Sequence, residues 1–107
     1  MLLCALALPA ERVAGLIGIA AAPDFTDWGF DAGDRARLAA GETILEDNPY
    51  GPEPTPTHAG FWADGQANLL LDTAIAIDCP VRLLHGQEDR DVPSAISLRL
   101  VNALRSA

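Results

Sequence analysis

Residues 79–93 read CPVRLLHGQEDRDVP, and this stretch decides the fold. Its first eight residues, Cys79 to Gly86, form a short apolar run of the kind found in strands covered on both faces in a parallel sheet. Asp89 follows in a polar turn, and a helical pattern begins near Pro93. In open α/β sheets, ligand and catalytic groups lie at the carboxyl ends of strands. The stretch therefore predicts a strand, a turn that carries Asp89, and a helix.

Three further elements can be read outward from this stretch. A second apolar run, VAGLIGIA at residues 13–20, predicts another strand covered on both faces, and residues 2–8 predict the tail of a buried helix that ends at Pro9. Asp91 is predicted to cap the last helix. The apolar residues of that helix recur at helical spacing, which predicts one packed face: Ile96, Leu100, Val101 and Leu104.

The connection between the two strands, residues 21–78, is much longer than a usual helical crossover. The four prolines within residues 48–60 exclude a continuous helix or a central strand there, so this part is predicted to be exposed. Helical segments are predicted on both sides of it. An insertion of this kind is typical of a lid.

Each of the two lid helices has its own signals. The first is predicted to run through residues 35–40, with Asp31 or Asp34 as its cap and Gly41 at its end. The second is predicted over residues 61–71, and its inward side chains are expected to be Phe61, Leu69 and Leu70.

Composition limits the classes of function. The 107 residues carry 7 basic and 15 acidic side chains, so the net charge is −8, and half of the residues are hydrophobic. These values favour one small folded domain over a disordered acidic segment. Because the chain has no basic cluster, neither nucleic acid nor an anionic membrane is an expected partner.

Two features bear on the cellular compartment. Cys4 and Cys79 have no spacing that indicates a disulfide framework or a zinc site, so both are expected to be buried thiols. Residues 1–22 have no basic n-region, and Glu11 and Arg12 interrupt their apolar stretch. The sequence therefore predicts a soluble, cytoplasmic protein.

The order of apolar strand, Gly86, two residues, Asp89, Val-Pro and helix resembles the acid-bearing turn of α/β-hydrolases. ALPAERVAGLIGIAAAPDFTDWGF at residues 7–30 is similar to the segment after the nucleophile elbow, and ANLLLDTAIAIDCPVRLLHG at residues 67–86 is similar to the lid exit and the next strand. Nearly the whole chain resembles the small esterase and palmitoyl-protein thioesterase branch, which includes acyl-glucuronide esterase. The resemblance implies a partial α/β-hydrolase domain over residues 1–107, with two parallel strands, a helical lid insertion at residues 21–78 and a C-terminal amphipathic helix.

The resemblance also implies a mechanism that needs no cofactor. In this family a Ser in G-x-S-x-G attacks an ester or thioester carbonyl, a His transfers the proton, and an Asp orients the His. Asp89 matches that Asp. The 107 residues contain no G-x-S-x-G, and the family's His comes from a loop after one further strand. We therefore expect a fragment of an enzyme for small acyl substrates, with one triad member of three.

Alternatives to these roles stay open at the level of sequence. His85 lies four residues before Asp89, but a His at a strand end more often makes a structural hydrogen bond than acts as a base. A metal site formed with Glu88 and Asp91 is not predicted, because residues of one turn rarely converge on an ion. Aromatic side chains of the lid are candidates for lining an acyl cleft or, equally, for holding the lid helices in place: Trp28, Phe61 and Trp62.

A second reading of the chain belongs to another functional class. It is a non-catalytic remnant or partner-binding module that keeps the lid and part of the sheet. With both sheet edges open, we expect self-association rather than a stable monomer. A monomer that unfolds cooperatively would favour the partner-binding module.

The isolated chain is expected to hydrolyse neither activated esters nor acyl thioesters. Without the nucleophile, the base and the oxyanion-hole donors, the tetrahedral intermediate is not stabilised, and each lost donor costs roughly 3 to 4 kcal/mol. A fluorophosphonate probe should therefore leave Ser94, Ser97 and Ser106 unlabelled. Labelling of any of these three serines would contradict the prediction.

Overall fold

The computed structural model describes residues 1–106, which form five α-helices, four β-strands and one 3-10 turn at Ala10–Arg12. In chain order, the helices and strands are α1 (Leu2–Ala7), β1 (Leu16–Ile19), α2 (Phe25–Trp28), α3 (Ala32–Ala39), β2 (Ile44–Glu46), β3 (Thr55–Thr57), α4 (Ala59–Ala67), β4 (Val81–Leu84) and α5 (Ser94–Ala103). The chain divides into two compact units. The first consists of Met1–Pro23 with Leu70–Ala107, and the second of Asp24–Leu69.

The first unit is built on a parallel pair of strands, as the two apolar runs predict. Strand β1 pairs with β4 in parallel, with Gly18 opposite Leu83. A Cβ atom at Gly18 would lie 2.8 Å from Leu83 Cδ2, so a larger residue at this position would make the Leu83 side chain move. Both strands are shorter than the predicted runs at residues 13–20 and 79–86.

One face of this strand pair is open to solvent. The side chains of Ile17, Ile19 and Leu84 are 67%, 78% and 55% exposed, respectively. The prediction that both strands are covered on both faces is therefore wrong for this chain. Apolar residues stand on both faces of the pair, but residues 1–106 provide a cover for only one of them.

Helix α5 supplies much of the core of the first unit. Ile96 is 5% exposed and Leu100 is fully buried, whereas the predicted core residue Val101 is 55% exposed. The end of α5 is fixed by a parallel bridge between Leu104 and Ile75, in which the Ile75 N–H donates to the Ala103 carbonyl at 2.7 Å. The amphipathic C-terminal helix is thus tied to the segment that leads into β4.

The start of α5 corrects the expectation that Asp91 is its cap. The cap residue is Pro93, with φ −56° and ψ 132°, and no side chain caps the helix. A helix capped by Asp91 would place Val92 in the helical region directly before a proline, where the proline ring disfavours that conformation. The helix therefore begins only after Pro93.

Helix α1 has the predicted position but not the predicted burial. Leu2 is 7% exposed, whereas Leu3, Leu6 and Leu8 are 48%, 37% and 46% exposed. Cys4 is exposed as well, so the expectation of two buried thiols fails for this one, and Cys79 is half-buried. Helix α1 therefore has several apolar side chains that are exposed to solvent.

The second unit contains the first predicted helix of the connection, although α3 begins three residues earlier than the predicted start at residue 35. Asp31 caps α3, because its Oδ1 accepts from the Asp34 N–H at 2.8 Å. Gly41 ends the helix with φ +92°, a left-handed conformation that glycine adopts without steric cost. The N–H groups of Gly41 and Glu42 donate to the carbonyls of Leu38 and Arg37, which satisfies the last turn of α3.

Two features of the second unit differ from the predictions. Helix α4 runs from Ala59 to Ala67, so it begins and ends earlier than the predicted 61–71 segment. Strands β2 and β3 form an antiparallel pair. This pair was not predicted, because the prolines of residues 48–60 argued against a strand there. Pro56 is tolerated in β3 because both strands of a two-stranded sheet are edge strands. None of the helices in the described part of the chain is long and apolar enough to cross a membrane.

Replacing Ile17 and Ile19 together by threonine is expected to lower hydrophobic-dye binding and self-association of the chain. Because both side chains are largely exposed, the free energy of unfolding should change little, whereas Leu100→Ala in the core should cost about 2 to 5 kcal/mol. Dye fluorescence, size-exclusion chromatography and denaturant unfolding measure these effects. An unchanged dye signal in the double variant would contradict the account of the open face.

Candidate functional site

The carboxyl end of β4 continues into a tight turn that carries Asp89. The Asp89 N–H donates to the Gly86 carbonyl at 3.3 Å, which closes the turn. Asp89 Oδ1 then accepts two backbone hydrogen bonds, from the N–H groups of Asp91 and Val92, each at 2.9 Å. A short Asp side chain forms such bonds to its own loop readily. The turn therefore fixes one oxygen of the carboxylate by local sequence alone.

These contacts keep the carboxylate charged. The hydrogen bond from the Val92 N–H, and next the one from the Asp91 N–H, hold the pKa of Asp89 below its ordinary value. The other oxygen, Oδ2, lies 3.6 Å from His85 Nε2, which is beyond hydrogen-bond distance. The side chain is 22% exposed. Asp89 is thus an ionised, oriented acceptor with one oxygen available to an additional N–H donor.

His85 lies beneath this turn, and its side chain is only 7% exposed. Its Nε2 is 2.8 Å from the Val92 carbonyl, and its Nδ1 is 2.6 Å from Ser97 Oγ. Because a carbonyl can only accept, Nε2 carries the hydrogen, and a neutral ring then accepts from the Ser97 hydroxyl at Nδ1. Both nitrogens are therefore engaged, and His85 makes the structural hydrogen bonds that the sequence favoured over a role as base.

The carboxyl end of β1 lies at the same edge of the sheet, because the two strands are parallel. Ala20, the first residue after β1, donates its N–H to the Leu84 carbonyl at 2.8 Å and has φ +45°. A left-handed conformation is costly for a residue with a Cβ, and such strain is concentrated at functional sites. No signal in the sequence points to Ala20, since alanine has no preference for this conformation.

The predicted acyl-cleft aromatics all belong to the second unit. Phe61 is 56% exposed, contrary to the inward orientation predicted for it, and its ring pairs with Phe25 at 5.8 Å between centroids. Trp62 is half-buried and donates its Nε1–H to the Thr26 carbonyl at 2.9 Å, which ties α4 to α2. Trp28 is half-buried. Trp62 therefore connects two helices of the second unit, and Phe61 presents an exposed apolar ring.

The remaining candidate groups do not form a second centre. Within residues 1–106 no three His, Cys, Asp or Glu side chains converge in a way that could hold a metal ion. Of the serines, Ser97 is 8% exposed and its hydroxyl is engaged with His85. The functional group that the structure presents at the sheet edge is therefore the Asp89 carboxylate.

Two solved structures are similar to the chain. One is a "Putative hydrolase" from Agrobacterium vitis S4, at a TM-score of 0.74 and 38% identity over 86% of this chain and 37% of that one. The other is alpha/beta hydrolase domain-containing protein 10 from mouse, at a TM-score of 0.78 and 31% identity over 99% of this chain and 44% of that one. The chain thus spans less than half the length of each. No protein-family model and no curated protein matches it.

Stability is expected to depend on pH through Asp89. Its lowered pKa means that the unfolded chain takes up the proton more readily, so the contribution is present above the ordinary Asp pKa and is lost as pH falls through the folded value. Asp89→Asn should remove this acid-range dependence, whereas Glu88→Gln on the same turn should keep it. Denaturant unfolding across a pH series measures both variants. Identical profiles for the natural chain and Asp89→Asn would contradict the assignment.

Proposed function

Because the chain carries part of the α/β-hydrolase fold, we propose that it supplies the acid-bearing turn of a serine hydrolase. In this proposal Asp89 is the triad acid, and the complete enzyme cleaves carboxylic esters or thioesters. The nucleophilic Ser and the catalytic His come from polypeptide outside these 107 residues. The enzyme needs no cofactor for this reaction.

One observation carries the proposal: Asp89 is held by its own loop at the carboxyl end of a parallel strand. Two backbone N–H groups donate to Oδ1, and the side chain that carries Oδ2 is partly exposed to solvent. A triad acid has to be ionised and fixed in direction, so that it can accept from an imidazole N–H and stabilise the imidazolium. The geometry of Asp89 meets both requirements without help from residues outside its unit.

In the proposed reaction, the Ser hydroxyl adds to the carbonyl carbon while the His takes its proton. Asp89 stabilises the positive imidazolium that results. The His then protonates the departing alcohol or thiol, and water releases the acyl group by the same steps in reverse roles. Asp89 stays ionised throughout and makes no bond to the substrate.

The proposed substrates are small acyl esters or thioesters, and the resemblance of the sequence to the esterase and thioesterase branch supports this choice. Within the second unit, Phe61 offers an exposed aromatic ring next to Phe25. We propose that Phe61, with Trp28 and Trp62, lines the acyl side of the cleft in the complete enzyme. The contact from Trp62 to Thr26 would then hold the lid helices in the shape that this lining needs.

A chimeric hydrolase tests the proposal. The chain replaces the matching segment of the mouse protein, which corresponds to 99% of the chain and 44% of that protein. The chimera is expected to hydrolyse an activated ester and an acyl thioester. Asp89→Asn should lower kcat by about 10⁴-fold, as the same change does for the triad Asp of a serine protease. The unmodified mouse protein serves as the reference.

Glu88→Gln and Asp91→Asn are the matched controls, because both side chains are exposed on the same turn. Neither change should reduce turnover by more than a few-fold. Loss of turnover in Asp91→Asn with normal turnover in Asp89→Asn would show that the acid is assigned two residues too early. A folded but inactive chimera beside an active mouse protein would favour the partner-binding module.

A further inference from the structure

The backbone of Val92 connects Asp89 to the residue beneath it. The Val92 N–H donates to Asp89 Oδ1 at 2.9 Å, and the Val92 carbonyl accepts from His85 Nε2 at 2.8 Å. The N–H and the carbonyl of Val92 belong to two adjacent peptide planes that meet at its Cα, so fixing the carbonyl restricts the N–H only through φ and ψ, and the proline at position 93 narrows that range. Asp89 and His85 thus contact the same residue, one at its N–H and the other at its carbonyl.

The ring of His85 is fixed in turn from a different element. Ser97 lies in α5, is 8% exposed, and places its Oγ 2.6 Å from His85 Nδ1. A hydroxyl that donates to Nδ1 leaves the hydrogen on Nε2, where the Val92 carbonyl needs a donor. One buried ring thus joins β4, the turn and α5.

We propose that His85 is a positioning residue for Asp89: held by Ser97, it fixes Val92 and thereby sets the direction of the Asp89 carboxylate. The proposal rests on the role of Asp89 as triad acid and adds the residues that support it. His85 touches neither substrate nor the reacting atoms. Its Nε2 is 3.6 Å from Asp89 Oδ2, so the influence passes mainly through Val92 rather than through a direct hydrogen bond.

The first test uses the full 107-residue chain and needs no enzymatic activity. The titration of the Asp89 carboxyl is followed by carbon NMR, and amide exchange at Asp91 and Val92 is followed by mass spectrometry. His85→Phe keeps a ring but removes both hydrogen bonds, so the pKa of Asp89 should rise toward its ordinary value. Exchange at the two amides should become about tenfold faster, while exchange in β4 stays unchanged.

Conservative variants separate positioning from general support of the fold. His85→Gln retains a side-chain N–H for the Val92 carbonyl and should keep the titration of Asp89 closer to that of the natural chain. Ser97→Ala leaves His85 in place but removes the group that orients it, and should give a smaller rise. If His85→Phe unfolds the chain, the test is the Asp89 titration in Ser97→Ala compared with that in His85→Gln. An unchanged Asp89 titration in folded His85→Phe or in folded Ser97→Ala would overturn the inference.

The second test uses the chimeric hydrolase. His85→Phe should lower kcat by about 10²-fold with little change in KM, because the triad acid is misplaced while substrate contacts remain. When Asp89 is already Asn, the same change should add little, since His85 acts through that carboxylate. Full additivity of the two changes would contradict the inference. A chimera without activity would count against the proposed function, while the titration in the full chain would still decide the role of His85.

Discussion

The parallel pairing of Leu16–Ile19 with Val81–Leu84 is the constraint on which the rest of the first unit depends. It places the carboxyl ends of both strands at one edge, where the turn with Asp89 follows one strand and the strained Ala20 follows the other. Within this register Gly18 lies opposite Leu83. A shift of one residue would turn His85 away from Ser97 and the turn would lose its support.

The polar groups at this edge form one connected set rather than separate features. The backbone of the turn holds Asp89, a buried His holds the backbone, and a buried Ser on α5 holds the His. Buried side chains of this kind are stable only when their hydrogen bonds are satisfied, and both His85 nitrogens have partners here. The Asp89 carboxylate is therefore oriented by contacts within the chain.

Sequence reasoning succeeded where a local signal determined the outcome. The apolar runs predicted the two parallel strands, Gly41 predicted the end of α3, and the spacing after Gly86 predicted the turn with Asp89. It failed where contacts between residues far apart in the sequence determine which side chains are buried. The exposure of Ile17 and of Val101 depends on which elements are present to cover them, and no local pattern contains that information.

The tightest contacts of the candidate site were also beyond the reach of sequence. Asp91 was the predicted cap of α5, but Pro93 disfavours a helical conformation at the residue before it, and the structure has Pro93 as the cap and Asp89 bound to the turn. The role of Ser97 depends on the packing of α5, because twelve residues separate it from His85. Residues far apart in the chain meet here without a motif that marks them.

A crystal structure of the chimeric hydrolase tests the central claim most directly, through the distance from Asp89 Oδ2 to the nearest imidazole nitrogen of the catalytic His. The account predicts a hydrogen bond, at roughly 2.7 to 3.2 Å, with Oδ1 still held by the N–H groups of Asp91 and Val92. A catalytic imidazole bonded to Glu88 or Asp91 instead, with Asp89 turned away from it, would contradict the account.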